Sequence, residues 1–275
     1  MRRRRQELLG QGFLWSCAIV TVGSLLLVLA YVTLRGAPGV SWKFVTASPE
    51  DMGRKGGVFP AIAGTLFLVA LGLSIAVPFG VGAGLYLGEC VTRASPFGEV
   101  LRFGVETLAA VPSIVFGLFG YALFVKKLKP LTGGTTLLSG SLTIALMILP
   151  TLIRATEEAV RAVPGSYREA SLALGATRGQ TVLRVVLPAA APGIGSAVIL
   201  GIGRIVGETA ALLFTLGGSP IVPHSVFEPA RTLAMHLYLV VLEVGAMNMG
   251  FATAFLLMLI TLGLNFAVDM VSRGK

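Results

Sequence analysis

Residues 58–87 read VFPAIAGTLFLVALGLSIAVPFGVGAGLYL, without one charged side chain. A helix rises about 1.5 Å per residue, so roughly 20 apolar residues cross the ~30 Å hydrocarbon layer of a bilayer. An uncharged run of this length is the signature of a membrane span rather than of a buried soluble helix. Uncharged runs recur at 13–34, 107–125, 137–153 and 244–268, and a sixth apolar run, 193–216, is interrupted by Arg204 and Glu208. Composition agrees. The chain is 55% hydrophobic and 13% charged, against about 25% charged in soluble globular proteins, and its mean hydropathy is +0.85. The expected fold class is therefore an all-α polytopic membrane protein, a single transmembrane domain of six helices.

The net charge of +9 would also suit nucleic acid, but its distribution argues for topology instead. Basic residues lie between the apolar runs and at the ends, as the positive-inside rule requires. Arg2 to Arg5 precede the first run and place the N-terminus in the cytoplasm; six crossings return Arg273 and Lys275 to the same side. The first run is long for a signal peptide and ends in no small-x-small cleavage pattern, so it reads as a retained helix. Cys17 and Cys90 have no partner in reach, which predicts neither a disulfide nor a metal site. His224 and His236 are expected as separate external loop residues.

The segments outside the apolar runs differ in character. Residues 35–57 carry Pro38, Pro49, charges and glycines and read as an external loop. Residues 216–243 contain GGSP and a short apolar piece, 233–242, too short to span and expected to be interfacial or partly re-entrant. Pro78 and Pro112 are expected to kink their helices, and Glu106 reads as an interfacial charge at the start of the third span.

The long cytoplasmic link, 154–192, reads RATEEAVRAVPGSYREASLALGATRGQTVLRVVLPAAAP. Pro164-Gly165 stops the preceding helix. Ser166-x-x-Glu169 and Thr177-x-x-Gln180 both fit the capping box, in which side chains at each end satisfy the orphan amides of a helix start. Gly175 suits the left-handed position after a helix, and Pro188 is expected to end the second helix. Two short helices therefore protrude from the cytoplasmic face. Glu169-Ala170-Ser171, Gly175 and Val185-x-Leu187-Pro188 resemble the EAA-x3-G-x9-I-x-L-P signature of binding-protein-dependent ABC importer permeases, with serine and valine as mild departures. The resemblance implies a MetI-like, type I permease fold whose loop docks on an ATP-binding subunit, with Glu169, Ala170, Ser171, Gly175, Val185, Leu187 and Pro188 as coupling residues.

Within that family, GRIVGETAALLF (203–214), AAVPSIVFGLFGYALFV (109–125) and PFGVGAGLYLGEC (78–90) look like phosphate importer permeases, specifically the second of their two permease subunits. Ala211 stands where that subunit type carries proline. The resemblance implies a second homologous permease, two ATP-binding subunits and an extracytoplasmic phosphate-binding protein as partners. ATP and Mg would sit on the partner ATPase; this chain has no G-x-x-x-x-G-K-[ST] phosphate loop, no HExxH and no nucleophile with a base. Cofactors, metal ions, enzymatic activity and nucleic-acid binding are accordingly not expected of it.

Arg204 and Glu208 remain to be placed. On a continuous helix they stand one turn apart, on a seam with Gly193, Ala197, Ala211 and Thr215, opposite Val198, Ile202, Ile205 and Val206. An ionised side chain at bilayer centre costs about 2.5–3.5 kcal/mol on insertion scales, so the pair faces protein or a polar path rather than lipid. Two readings stay open. The pair fixes helix register or the permease–permease interface, or Arg204, Glu208, Thr209 and Thr215 line the substrate path, with the guanidinium fork as transient partner of the anion. Gly203-x-x-x-Gly207 would let another helix approach closely.

Overall fold

The computed structural model describes residues 2–92 and 95–273, with side chains described for 11–92 and 95–266. The side chains of Arg2 to Arg5 and Arg273, and Lys275 altogether, lie outside the described residues. The main helices are α1 (Arg2–Gly36), α2 (Phe59–Cys90), α3 (Pro96–Ala109), α4 (Ser113–Lys127), α5 (Leu137–Ala162), α6 (Gly165–Ala173), α7 (Arg178–Val206), α8 (Ala210–Leu213), α9 (Leu233–Glu243) and α10 (Met247–Arg273). Five are long and apolar enough to cross a membrane, and α3 with α4 makes up to six if the bent pair is one span.

At the centre stands α5, whose first turn is capped by Thr136, the hydroxyl accepting from the Ser139 amide. It is flanked by α2 and α7, and Leu68, Ile144, Ile148, Leu152 and Ile205 are fully buried where the three meet. The close packing of α2 has a sequence cause. Gly64, Gly72, Ala76, Gly80, Gly84 and Gly88 recur every four or eight residues, which puts them on one helical face. At Gly80 an added Cβ would lie 2.7 Å from Leu152 Cβ, and at Gly84 2.5 Å from Thr156 Cβ. Small residues let the two backbones meet where side chains would hold them apart. In contrast α1 is exposed over its apolar length and touches the rest of the bundle near its C-terminal end, where Tyr31 meets Phe251 of α10 edge-on at 5.5 Å between centroids.

Several expectations need correction. The third span is not one helix: α3 and α4 are bent by 98° at residues 110–112. Pro112 is extended (φ −59°, ψ 142°), and proline both lacks a donor and disfavours helix in the residue before it. The helix that begins at Arg178 does not end at Pro188 but runs through Pro188 and Pro192 to Val206. A π-helical turn at Val182–Val186 immediately precedes Pro188 and absorbs the changed hydrogen-bond register there. The helix over the expected fifth span, 193–216, starts earlier, at Arg178, and stops at Val206. α2 continues through Pro78, as the uncharged run 58–87 implies.

The external loop 35–57 is ordered. It contains a helical turn, Trp42–Thr46, capped by Ser41, and an antiparallel pair, β1 (Pro49–Glu50) with β2 (Lys55–Gly56), in the register Pro49↔Gly56. The apolar piece near 233–242 is a helix, α9, capped by Thr232 and buried along Leu233 to His236. His236 is therefore not a loop residue. It is fully buried, with Nδ1 3.5 Å from Arg231 Nη1, and its pKa is lowered to about 4, by burial first and by Arg231 second.

Candidate translocation path and coupling surface

Arg204 occupies the last turn of α7, and its neighbours decide what it can do. Gly207 closes the helix with its amide bonded to the Gly203 carbonyl at 3.3 Å, and Glu208 and Thr209 lie outside regular helix. Arg204 and Glu208 consequently do not form the expected ion pair one turn apart. The Glu208 carboxylate turns the other way, where Oε1 accepts from the Ala211 amide at 3.1 Å and caps α8. A glycine able to end the helix thus sits inside the stretch read as continuous. Because α8 starts a new helix, the seam drawn through Ala211 and Thr215 does not exist as one face.

Arg204 is exposed, and its Nη1 approaches the Thr151 hydroxyl on α5 at 3.4 Å. Among the described residues no carboxylate lies within ion-pair distance of it. Thr209 is half-buried. Thr215 is fully buried, its hydroxyl bonded to the Ala211 carbonyl at 3.1 Å and its own carbonyl accepting from Thr136, so it holds the α8 turn against the start of α5. Thr151 was missed because a lone threonine beside Pro150 carries no signal. Glu106 meets Arg154 at 3.6 Å, with Arg154 also 3.6 Å from Glu158.

The coupling segment folds at the other end of α7. Gly175 has φ +85° with open space beside it, so the turn between α6 and α7 requires glycine for conformational and not steric reasons. Thr177 and Gln180 form the anticipated capping box. Ser166 and Glu169 do not: α6 begins at Gly165 after Pro164, with no side-chain cap. Proline at the N-terminal boundary already removes one donor that a cap would serve. Ser171 is buried and hydrogen-bonds Thr181 at 2.9 Å, joining α6 to α7. Around this bond an open groove is lined by Tyr167, Ala170, Leu174, Gln180, Arg184 and Val185. Leu174 is 89% exposed at the apex, Glu169 and Pro188 are exposed, and Leu187 packs inward against the cluster around Val160 and Val186.

α7 thus runs from the coupling turn, beside the exposed Leu174, to a last turn that carries the exposed Arg204. The family described as "binding-protein-dependent transport system inner membrane component" matches residues 76–275. The chain belongs to this family. Membership makes it an integral membrane transport subunit, not an enzyme. The family match takes in part of α2 and everything after it, so both Arg204 and the coupling segment lie within it, while α1 and the 35–57 loop lie outside.

Curated relatives include the probable ABC transporter permease YqgI of Bacillus subtilis, 34% identical over 86% of this chain and 84% of its own. The phosphate transport system permease PstA of Haemophilus influenzae is 34% identical over 86% of this chain and 82% of its own. The same-named protein of Mycobacterium leprae is 35% identical over 83% and 75%. Among solved structures, a bacterial alginate ABC transporter in complex with its substrate-loaded periplasmic protein shares the fold. It has a TM-score of 0.72 at 15% identity and covers 98% of this chain and 95% of that one. The methionine transporter MetNI, inward facing, matches at TM-score 0.60 and 24% identity over 79% and 94%. The family fold is thus the MetI-like permease fold.

Proposed function

We propose that this permease forms half of the translocation pathway of an ATP-driven phosphate importer in the inner membrane. Its complex contains a second homologous permease, two ATP-binding subunits that hold ATP and Mg, and an extracytoplasmic phosphate-binding protein. The observation that carries the reading is Arg204. Its guanidinium stands open, free of any carboxylate among the described residues, with the Thr151 hydroxyl beside it. Phosphate is the ligand that a planar fork plus one hydroxyl suits, through parallel charge-assisted hydrogen bonds. Engaging Glu208 on the Ala211 amide takes a repelling charge out of line, so the site is electropositive when empty. Contact at one arginine is weak enough to release, as a pathway needs. The phosphate permease names among the relatives support the same substrate class.

ATP-driven closure of the ATPases acts on α6 and on the start of α7, which carries Arg204 at its other end; the stroke therefore reaches the anion contact along one helix. The test is labelled-phosphate uptake by the reconstituted complex, normalised to assembled protein. Arg204→Lys keeps the charge but loses the fork and should lower uptake about tenfold, a loss of ~1.4 kcal/mol; Arg204→Met should abolish it. Near-normal uptake by Arg204→Met would show that the arginine is architectural. Uptake of labelled molybdate or sulfate by the same complex, with none of labelled phosphate, would move the substrate to another oxyanion.

A further inference from the structure

α6 is exposed along almost its whole length, and within it Ser171 is buried and Arg168 partly covered. These two residues are its anchors to the bundle. Ser171 ties it to α7 through Thr181. Arg168 ties it elsewhere. Its Nε donates to both oxygens of Glu89 at 3.0 and 3.2 Å, its Nη1 to the Val163 carbonyl at 2.7 Å, and its Nη2 to the Val160 carbonyl at 2.9 Å as well as to Glu89. One guanidinium therefore joins three elements: α6, the C-terminal end of α5, and the π-helical turn Tyr86–Cys90 that ends α2.

The same turn is gripped from two other sides. Arg102 of α3 donates to the Leu87 and Val91 carbonyls, and Arg161 of α5 to the Leu87 carbonyl. Glu157 accepts from both arginines, at 2.8 and 2.7 Å. Helix ends leave carbonyls without intrahelical partners, and here three arginines supply them. Each ion pair is largely shielded, with side chains 11–24% exposed, so charge-assisted bonds are stronger and more geometrically restrictive than at an open surface.

Two routes leave α6. Arg168 leads through Glu89 to the end of α2, which packs closely on α5 at Gly80 and Gly84. Ser171 leads through Thr181 to α7, which packs on α2 and α5 at Ile205 and carries Arg204 beside Thr151 of α5. We propose that Arg168 and Glu89 are a positioning pair, the contact that transmits displacement of α6 to the end of α2, while Ser171 and Thr181 transmit it to α7. Displacement of α6 through these two anchors reaches the Arg204–Thr151 contact from both of its sides. The inference rests on the reading of α6 as the ATPase docking helix.

The experiment uses the full reconstituted complex with Glu89→Gln, Arg168→Gln and the double variant. Glutamine at 89 keeps the volume and an acceptor oxygen while removing the charge. ATP hydrolysis and phosphate uptake are measured together, with thermal stability alongside. Expected is a rise of about tenfold in ATP consumed per phosphate moved for either single change, with the double variant no worse than the singles, because one shared contact is lost. An unchanged ratio in Glu89→Gln overturns the proposal. So does a parallel fall of hydrolysis, uptake and stability, which would mark the pair as structural, and so do multiplicative effects in the double variant. Cross-linking from Leu174→Cys to the ATPase separates the two failures: without a cross-link the docking reading falls, whereas a cross-link with an unchanged ratio removes the transmission pair alone.

Discussion

Adding one methyl group to α2 should have opposite effects two residues apart. At Gly84 an added Cβ would lie 2.5 Å from Thr156 Cβ and 2.7 Å from the Ile153 carbonyl oxygen, whereas at Gly82 nothing lies within 4 Å. Carbon atoms rest at about 3.5–4.0 Å, so Gly84→Ala must push α2 and α5 apart by roughly 1 Å. The contact includes backbone, which cannot rotate away as a long side chain could. Overpacking of this kind costs about 1–3 kcal/mol, against which the helix propensity of alanine returns up to about 1 kcal/mol. Gly82→Ala receives the propensity gain alone. The two variants should therefore differ by about 1–3 kcal/mol, or several degrees at roughly 2–4 °C per kcal/mol. The assay is thermal unfolding of the detergent-solubilised complex, followed by tryptophan fluorescence or by loss of assembled complex. If Gly84→Ala melts with or above Gly82→Ala, the glycine face is not the packing seam, and the close α2–α5 contact described above disappears with it.

Three further outcomes are expected. Gly175→Val places a β-branched residue at φ +85°, a strain of about 1–2 kcal/mol, and should weaken capture of the ATPase while membrane insertion stays normal; full capture and uptake would refute the coupling turn. Glu208→Gln keeps an acceptor for the Ala211 amide and should be near neutral in stability, whereas Glu208→Ala loses a cap worth about 1 kcal/mol; equal melting of the two would deny the capping role. His236 is held neutral, its pKa lowered to about 4 by burial and Arg231, so the unfolded chain takes up the proton first and stability falls as pH drops from about 6.5 towards 4. The loss is about 2 kcal/mol at pH 5, and His236→Leu should remove that part of the acid sensitivity in melting curves at pH 7.5 and 5; an unchanged slope would show that the imidazole is not the titrating group.

Much of this was legible in the residues themselves. Length without charge is sufficient for a span, because an unpaired charge has no place in hydrocarbon, and the coupling signature lies in one contiguous stretch whose glycine and capping box are local chemistry. The single-chain wheel failed at Gly207, where a helix of plausible length could either continue or stop, and nothing nearby in sequence says which. That choice depends on what Glu208 meets, and it meets the Ala211 amide instead of Arg204. Pro112 and Pro188 carry the same lesson: one breaks its span by 98° and the other sits inside a continuous helix after a π-turn, although proline removes the same donor in both. Thr151, Glu89 and Arg168 were illegible for a simpler reason. Their partners lie 53 and 79 residues away, and only packing brings a guanidinium and its acceptor into hydrogen-bond range. What periodicity and local motifs encode is the identity of each helix; which helix ends face one another is decided by the tertiary structure, through the backbone approach that α2's glycines permit.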